Sequence, residues 1–297
     1  MSKPFRYVAT IVAGQGDVLD PSLVDQIATA AGLSSAPRVQ LAPEALDLFF
    51  DTDDLAQMRL RLLAALSGAR IDVIAQPVEG RRKALLVADM DSTMIAQECI
   101  DELAELVGLR AEISEVTLRA MRGEIDFEEA LRARVAKLAG VTMAQIEAIL
   151  SRLTLNDGAH TLVATMRAHG AYTALVSGGF TQFTQAIAAR LGFDEMRANQ
   201  LEMSNGALTG AVMSPVLGAA AKRDALIELC ATRAIALSDA LAIGDGANDL
   251  DMLRTAGLGV AYRAKPKVAA AAHARLEHAD LTALLYAQGY RREEFVE

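Results

Sequence analysis

Several residue types are scarce in this sequence, and each scarcity excludes a class of protein. The two cysteines, Cys99 and Cys230, stand far apart and outside any motif, so a disulfide scaffold is not expected. The four histidines lack the spacing of metal ligands, which argues against a zinc site. Tryptophan is absent and aromatic residues make up 4% of the chain, which removes the usual stacking platform for nucleic-acid bases.

Positive charge is scarce as well. The 297 residues include 29 lysines and arginines against 38 aspartates and glutamates, a formal net charge of −9, and no basic run occurs. These features argue against nucleic acid as a partner. Hydrophobic residues make up 52% of the chain, yet no uninterrupted apolar run is long enough to span a bilayer. We therefore expect a cytoplasmic protein without a membrane partner.

The first 77 residues predict a βαββαβ domain. The apolar run after Lys3 and Arg6 is short and alternates like a strand, which favours a β-strand over a signal peptide. Strands are expected at Phe5–Ala13, Arg38–Ala42, Leu46–Asp51 and Ile71–Gln76, and helices at Leu23–Leu33 and Asp54–Ser67. This order is the ferredoxin-like pattern. Residues 78–83, with a glycine and three consecutive charged side chains, predict a linker.

Residues 84–297 predict an α/β domain built on a doubly wound, Rossmann-like parallel sheet. Apolar strands recur between helical stretches, an alternation typical of this architecture. These strands are expected at Leu85–Asp89, Thr173–Ser177, Leu241–Gly244 and Leu258–Ala261. Between the first two strands, from about residue 95 to 155, the apolar periodicity is helical. We expect this insertion to form a cap over the carboxyl ends of the strands, where open α/β sheets place their sites.

Two acids directly follow the first strand of this sheet. Asp89 and Asp91 stand two residues apart in the stretch ALLVADMDST, so both side chains lie on the same side of the extended chain. Two carboxylates this near to each other repel unless a cation lies between them. The spacing therefore indicates a metal site. Taken alone, the pattern favours a simpler interpretation, in which the acids end a strand and cap the next helix.

A hydroxyl and two glycines follow the second strand. In the stretch TALVSGG, Ser177 with Gly178 and Gly179 could cradle phosphate oxygens through a hydroxyl and backbone amides. By itself this motif favours a glycine turn and a helix cap.

Further acids, an amide and a lysine complete the set. Asp245 follows the third strand in ALAIGDGANDLDML, and Asn248, Asp249 and Asp251 come soon after. So many oxygen ligands exceed what helix capping requires, and they favour a hard cation such as Mg²⁺. Lys222, in AAAKRDAL, stands near the start of an expected helix, where a cation opposes the helix dipole. Lys222 could bridge a phosphate and an acid that acts as a nucleophile, or it could be solvated as most lysines are.

Taken in order, the motifs D-x-D-S-T, S-G-G, K and G-D-x-x-N-D resemble those of the haloacid dehalogenase-type phosphatases. From about Ala84 onward the chain is similar to the phosphoserine phosphatases of that superfamily. The N-terminal part is similar to the ACT-like regulatory domain that some members carry. The loop at residues 14–21 is longer than in ACT domains that bind amino acids, so effector binding stays open.

The resemblance implies hydrolysis of O-phospho-L-serine to L-serine and phosphate. Asp89 would be the nucleophile that forms an aspartyl-phosphate, and Asp91 would be the general acid and base. Mg²⁺ would be held by Asp89, the backbone carbonyl of Asp91, and Asp245, with Asp249 in support. The resemblance implies substrate contacts for Glu98, Arg134, Ser177, Gly178, Lys222 and Asn248, and lid contacts for Met121 and Phe127.

Glu98 and Arg134 also stand out by charge. Glu98 has only acids at helical distance, and Arg134 has no acid at helical distance. Two opposite charges without local partners beside a phosphate site fit an amino acid zwitterion. The simpler interpretations are an acid favoured by the helix dipole and an arginine on a solvated face.

Other functions stay open. A phosphotransferase that passes the phosphoryl group to another hydroxy amino acid needs the same residues and differs only in its product. A phospho-aspartate receiver is disfavoured by Asp91, Glu98 and the cap. A non-catalytic amino-acid sensor is disfavoured because the acids and the lysine of the motifs are intact. The expected partner is a small-molecule substrate, and a homodimer stays open.

Overall fold

The computed structural model describes residues 4–66, 68–121 and 124–297, without the side chains of residues 118, 120, 121 and 219. Its N-terminal part contains β1 (Tyr7–Ala13), α1 (Pro21–Ala30), β2 (Arg38–Ala42), β3 (Ala45–Phe50), α2 (Leu55–Ala65) and β4 (Ile71–Pro77). The four strands form one antiparallel sheet in the order β2-β3-β1-β4. Asp20 and Asp54 cap the two helices by accepting a backbone N–H, which fixes where each helix begins.

The C-terminal part alternates strands and helices. Its elements are β5 (Leu85–Ala88), α3 (Cys99–Leu106), α4 (Arg110–Met121), α5 (Phe127–Ala136), α6 (Met143–Leu150), α7 (Ala159–Ala168), β6 (Tyr172–Phe180), α8 (Thr181–Leu191), β7 (Glu195–Asn199), β8 (Leu201–Ser204), β9 (Ala207–Val212), α9 (Ala219–Thr232), β10 (Ala240–Gly244), α10 (Leu250–Thr255), β11 (Leu258–Tyr262), α11 (Pro266–Ala269), β12 (Ala274–Leu276) and α12 (Ala283–Ala287). Short 3-10 helices lie at Leu237–Asp239, Ala247–Asp249 and Arg292–Glu294.

The main sheet has six parallel strands in the order β12-β11-β10-β5-β6-β7, so the predicted parallel α/β sheet is confirmed. The early strands extend to one side of β5, and the late strands extend from β10 to the other side. Every residue of β5 and β10 is buried, as expected for central parallel strands. The strand order therefore reverses between β5 and β10, which is where open α/β sheets bind ligands.

Two strands of this sheet, β7 and β12, do not follow from the apolar pattern of the sequence. Four of the five residues of β7 are only partly buried, because it is an edge strand with two charged side chains. β12 is only three residues long. In addition, β6 extends past its predicted end through Gly178 and Gly179.

Four helices, α3–α6, lie between β5 and α7, and a bridge between Ile95 and Leu155 closes the base of this insertion. The antiparallel hairpin β8–β9, which was not expected, lies against these helices. The Gly140 N–H donates to the Leu208 carbonyl at 2.8 Å, and the Leu208 N–H donates to the Val141 carbonyl at 2.8 Å. Among the described residues, no helix is both long and apolar enough to cross a bilayer.

The two sheets meet in a seam with a shared hydrophobic core. Val12 and Ile74 of the N-terminal sheet belong to the same buried cluster as Leu284 and Tyr286 of α12. The segment predicted as a linker, residues 78–83, is packed into this seam. Its Lys83 is 8% exposed, and its Nζ donates to the backbone carbonyls of residues 80 and 238, each at 2.8 Å.

Candidate active site

Asp89 lies at the carboxyl end of β5 and is 5% exposed. Its backbone N–H donates to the Ile243 carbonyl of neighbouring β10 at 3.0 Å, which continues the strand pairing past the end of β5. The Met90 N–H donates to Asp89 Oδ1 at 2.8 Å. The sheet and the following turn together hold this carboxylate in place.

Lys222 lies in the first turn of α9 and is 2% exposed. Its Nζ lies 2.7 Å from Asp89 Oδ1 and 2.6 Å from Asp249 Oδ1. Burial lowers the pKa of the lysine, but the two carboxylates outweigh burial and raise the pKa of Lys222 above its usual range. A protonated amine therefore stays in contact with Asp89.

Three carboxylates converge beside the end of β10. Asp89, Asp245 and Asp249 each offer one oxygen, and these oxygens lie within 4.8 Å of one another. The Thr93 hydroxyl donates to Asp245 Oδ1 at 3.2 Å, and the Gly246 N–H donates to Asp249 Oδ2 at 3.0 Å, so both acids are oriented by their surroundings. An all-oxygen donor set fits a hard divalent cation such as Mg²⁺.

Asp91 lies next to this cluster. Its Oδ1 is buried and has no hydrogen-bond partner within the described part of the chain. Burial, and then the charge of Glu98, raise the pKa of Asp91 to about 7. Burial and the charge of Asp249 raise the pKa of Asp245 to about 6, and the same two causes raise the pKa of Asp89. A carboxyl group that titrates near neutrality, as Asp91 does, suits general acid–base catalysis.

Ser177, Gly178 and Gly179 lie near the end of β6, where the regular pairing with β7 is interrupted. The Gly179 N–H donates to Ser177 Oγ at 2.9 Å. A Cβ atom at Gly179 would lie 3.1 Å from Asp91 Oδ2. Glycine therefore allows this stretch of backbone to approach the acid.

Phe127, the first residue of α5, brings the helical insertion close to these groups. Its ring would lie 3.8 Å from a Cβ atom at Gly178 and 3.3 Å from a Cβ atom at Gly218. The ring therefore covers the backbone of both segments. Met121 is the last residue of α4, and its side chain lies outside the described residues.

Within the described part of the chain, Glu98 and Arg134 have hydrogen-bond partners that are polar and carry no charge. Glu98 is the N-cap residue of α3, but its carboxylate caps no backbone N–H and accepts the Ser92 hydroxyl instead. Arg134 donates to the Ala130 carbonyl at 3.2 Å and to the Thr117 hydroxyl at 3.4 Å. Neither forms a salt bridge with any residue that the structure describes. Burial lowers the pKa of Arg134, and the charges of nearby acids, Glu98 among them, partly oppose this shift.

The carboxyl ends of β5, β6 and β10 thus bring together most of the residues singled out from the sequence. Asn248 is half-buried at the same end of the sheet, and its side chain makes no hydrogen bond to other described residues. Asp251 is exposed on α10. Thr93 has no role predicted from the sequence, although its place in the first motif could have indicated one. The buried Asn199, which ends an unpredicted strand, is not singled out by the sequence either.

A model of the haloacid dehalogenase-like hydrolases matches residues 86–254, more than half of the chain. The chain belongs to the haloacid dehalogenase-like hydrolase family. The matched range begins in β5 and ends in α10, so it contains Asp89, Lys222 and Asp245.

Similar proteins of known sequence carry the name phosphoserine phosphatase. The protein from Streptomyces coelicolor is 45% identical over 231 residues, which are 78% of this chain and 56% of that protein. The protein from Albidiferax ferrireducens is 46% identical over 228 residues, which are 75% of this chain and 96% of that protein. The match thus spans little more than half of the Streptomyces protein and nearly all of the Albidiferax protein.

Solved structures share the fold. A haloacid dehalogenase family hydrolase from Salmonella enterica serovar Typhi matches with a TM-score of 0.86 and 30% identity, over 95% of this chain and 97% of that one. A phosphoserine phosphatase with bound substrate matches with a TM-score of 0.64 and 36% identity, over 69% and 98% of the two chains. A phospho-aspartyl intermediate analogue of phosphoserine phosphatase matches with a TM-score of 0.64 and 37% identity, over the same shares.

Proposed function

We propose that this chain is a Mg²⁺-dependent phosphoserine phosphatase that hydrolyses O-phospho-L-serine through an aspartyl-phosphate. The observation that carries the proposal is the contact of Lys222 Nζ with Asp89 Oδ1 at 2.7 Å, in a buried position beside two further carboxylates. An ammonium held against a carboxylate can bind the phosphate that this carboxylate attacks. The names of the similar proteins, and the substrate-bound phosphoserine phosphatase of the same fold, support the same substrate.

The proposed reaction has two steps. In the first, a carboxylate oxygen of Asp89 attacks the phosphorus atom, and the bond from phosphorus to the serine oxygen breaks. Asp91 donates its proton to the leaving serine oxygen, which gives free serine. In the second, Asp91 takes a proton from water, the water oxygen attacks phosphorus, and the bond to Asp89 breaks. Phosphate leaves, and both carboxyl groups return to their starting states. A pKa of about 7 allows Asp91 to serve in both steps.

The donor set fits Mg²⁺, which when bound would offset negative charge on the carboxylates and on the phosphoryl group. Asp89, the backbone carbonyl of Asp91, and Asp245 would hold the ion, and Asp249 would support it. Asp249 also orients Lys222, through the contact of 2.6 Å. Without a cation, burial and the charge of Asp249 raise the pKa of both Asp89 and Asp245, which is the electrostatic reason to expect one.

The remaining residues would bind the substrate. Ser177, Gly178 and Lys222 would contact the phosphate, together with Asn248. Glu98 would face the ammonium group of phosphoserine, and Arg134 would face its carboxylate. Their lack of charged partners among the described residues supports these roles, because each charge is left for a ligand. Met121 and Phe127 would close over the substrate.

The domain organisation is proposed as well. Residues 1–77 would form a ferredoxin-like, ACT-like domain, residues 78–83 a linker, and residues 84–297 the phosphatase domain, with a cap from about 95 to 155. The strand order β2-β3-β1-β4 supports the ferredoxin-like assignment. A cytoplasmic location fits a small-molecule substrate, and a homodimer stays a hypothesis.

A phosphate-release assay on a panel of phosphomonoesters tests the proposed function. The panel contains phosphoserine, phosphothreonine, phosphoethanolamine and phosphoglycolate, each with Mg²⁺ and with free hydroxy amino acids as acceptors. We expect phosphoserine to have the highest kcat/KM and to yield serine and phosphate in equal amounts. Transfer of phosphate to an added hydroxy amino acid would favour the phosphotransferase. Release from none of these esters would contradict the proposal.

A further inference from the structure

Asn199 is a buried side-chain amide at the end of β7, with an exposure of 1%. Its Nδ2 donates to the Gly178 carbonyl at 2.9 Å and to the Leu217 carbonyl at 3.2 Å. Its Oδ1 accepts the Leu217 N–H at 2.7 Å. Both donor hydrogens of the amide are therefore used, and its oxygen is bonded as well.

These bonds join segments that are far apart in sequence and that both contribute to the site. Gly178 lies between Ser177 and Gly179, where β6 leaves its regular pairing. Leu217 precedes α9 by two residues, and α9 carries Lys222 in its first turn. The amide therefore connects two parts of the site. One is the glycine segment, residues 177–179, which would bind phosphate, and the other is the backbone just before α9, the helix of Lys222.

The same amide holds both ends of the hairpin β8–β9. Asn199 stands two residues before β8, and Leu217 follows β9 by five residues. The hairpin in turn is bonded to the helical insertion. Arg132 of α5 donates to the Val212 carbonyl at 3.0 Å and to the Ser214 hydroxyl at 3.0 Å. The helical insertion is thus hydrogen-bonded to the hairpin whose two ends Asn199 holds.

We propose that Asn199 is a positioning residue, which sets the distance between the glycine segment at Gly178 and the ammonium group of Lys222. It acts through these two groups and touches no substrate atom. The proposal rests on the proposed function, because it assumes that both groups bind one phosphate. The alignment matters because a misplacement of about 1 Å in a phosphoryl-transfer site can cost on the order of 100-fold in rate.

Only an amide of this length satisfies the three backbone groups. Two carbonyls need donors and one N–H needs an acceptor. A carboxylate can accept from the N–H, but when ionised it has no hydrogen to donate to the carbonyls. A serine reaches fewer of these groups because its side chain is shorter. Asn199→Ser therefore removes hydrogen bonds between Gly178 and Leu217 without introducing a buried charge.

The experiment compares Asn199→Ser with Gln288→Ser. Gln288 is also a buried side-chain amide, with an exposure of 0%; it donates to the Leu284 carbonyl at 3.0 Å and accepts the Lys83 N–H at 3.0 Å. Lys83 precedes β5, so this control lies at the end of the sheet opposite Asp89. Both variants lose bonds of a buried amide, and both should lower Tm by a similar amount.

The readouts are kcat and KM for phosphoserine, and the Tm increase that orthovanadate produces in the presence of Mg²⁺. Asn199→Ser should lower kcat by about 10- to 100-fold with a much smaller change in KM, and it should reduce the orthovanadate effect. Gln288→Ser should leave kcat and the orthovanadate effect at their wild-type values. If Asn199→Ser loses only Tm, as the control does, Asn199 is structural and the proposal is wrong. The orthovanadate readout needs no turnover, so it remains decisive even if phosphoserine is not the substrate.

If Asn199→Ser does not fold, hydrogen exchange of the wild-type protein tests the same connection between Gly178 and Leu217. Orthovanadate with Mg²⁺ should slow exchange of the amides of Gly178 and Gly179. Because Leu217 N–H is bonded to the same side chain, its exchange should slow together with theirs. Slower exchange at Gly178 and Gly179, with Leu217 unchanged, would show that the two segments respond independently and would overturn the proposal.

Discussion

Buried carboxylates occur in two regions of this molecule, the seam between the sheets and the carboxyl ends of the parallel strands. At the seam every buried carboxylate described has its partners. Asp72, 3% exposed, accepts three backbone N–H groups at 2.8–2.9 Å, those of Glu277, His278 and Ala279. Asp47, 1% exposed, accepts the Thr10 hydroxyl at 2.7 Å and pairs with Arg81 at 2.9 Å.

At the carboxyl ends of the strands the balance is different. Asp89 and Asp249 share one lysine, and Asp91 keeps a buried oxygen without a partner within the described residues. Burial of a carboxylate is unfavourable unless hydrogen bonds or an opposite charge compensate for it. At the seam, groups of the chain itself supply hydrogen bonds and a cation, although burial still raises the pKa of Asp47. At the strand ends, one buried oxygen of Asp91 has no partner among the described residues. A buried carboxylate with complete partners indicates a structural role, and one with incomplete partners indicates a site for a ligand.

The largest effect that this contrast predicts is at Asp89. Asp89→Asn should reduce phosphate release by at least about four orders of magnitude, because an amide cannot act as the nucleophile and removal of a nucleophile typically has this cost. The variant should also give no acid-stable label at Asp89 after incubation with labelled phosphoserine. Steady-state kinetics and peptide mapping of labelled protein measure both.

Asp251→Asn is the matched control for that variant. Asp251 is exposed and lies in the stretch that contains Asp249, but outside the cluster. It should keep wild-type kcat. A phosphoenzyme still labelled at the first motif in Asp89→Asn would overturn the assignment of the nucleophile.

A smaller effect, on specificity, is expected for Glu98→Gln and Arg134→Ala. Each variant loses one charge-assisted contact, which should cost about 2–4 kcal/mol of transition-state stabilisation. The value of kcat/KM for phosphoserine should therefore fall roughly 30- to 1000-fold. Arg134→Ala should lose far less on phosphoethanolamine, which has no carboxylate, and Glu98→Gln far less on phosphoglycolate, which has no ammonium group. The measurement is kcat/KM of the wild type and both variants on all three esters.

Arg132→Ala controls for the loss of an arginine from α5. Arg132 pairs with Glu128 at 2.7 Å, so its charge already has a partner. Its loss should reduce kcat/KM on the three esters by the same factor. Equal factors for Arg134→Ala as well would show that Arg134 supports the helical insertion and selects no substrate.

The seam predicts an effect on stability alone. Asp72→Asn keeps the shape of the side chain but removes the charge that accepts three N–H groups, which should cost about 1.5–3 kcal/mol of unfolding free energy. Tm should fall, while kcat of the folded protein should not change. Asp25→Asn is the control, because Asp25 pairs with Arg38 on the surface at 2.6 Å, where such pairs contribute about 0–1 kcal/mol. A loss of kcat in Asp72→Asn would mean that the seam acts on the site.

The sequence predicts the central strands well because burial on both faces leaves a continuous apolar run, as in β5 and β10. It misses β7 and β12, whose residues are partly exposed or too few for a pattern. The hairpin β8–β9 could have been found, because its turn residues Asn205 and Gly206 have the positive φ values of 50° and 78° that this dipeptide favours.

The same limit applies to the site. Residues at strand ends are predictable because parallel strands align their carboxyl ends. Asn199 is not predictable in this way, because its importance comes from contacts with residues 21 and 18 positions away in the sequence. The packing of residues 78–83 is missed for a related reason. The partners of this charged segment, such as Asp47 for Arg81, lie far from it in the chain.

The last predicted effect concerns the stability of the protein without metal. The pKa of Asp91 is raised to about 7 and that of Asp245 to about 6, so the folded state binds more protons than the unfolded state at pH values between about 4 and 7. Stability should therefore fall as pH rises through this range, and the Tm in the presence of a chelator should be lower at pH 8 than at pH 5. Asp245→Asn removes one of these groups and should raise that Tm at pH 8 by a few degrees, since each kcal/mol corresponds to about 2–4 °C in a large domain.

Mg²⁺ should reverse this order of stability. Protons and the ion compete for the same oxygens, so Mg²⁺ should raise the Tm of the wild type more at pH 8 than at pH 5. It should raise the Tm of Asp245→Asn much less at either pH, because one of the three carboxylates of the cluster is gone. Thermal unfolding of both proteins, with Mg²⁺ and with a chelator at the two pH values, measures all of these Tm values. If Asp245→Asn is less stable than the wild type in chelator at pH 8, Asp245 is stabilising in the way that Asp72 is expected to be. The contrast between the two regions would then be wrong at this residue.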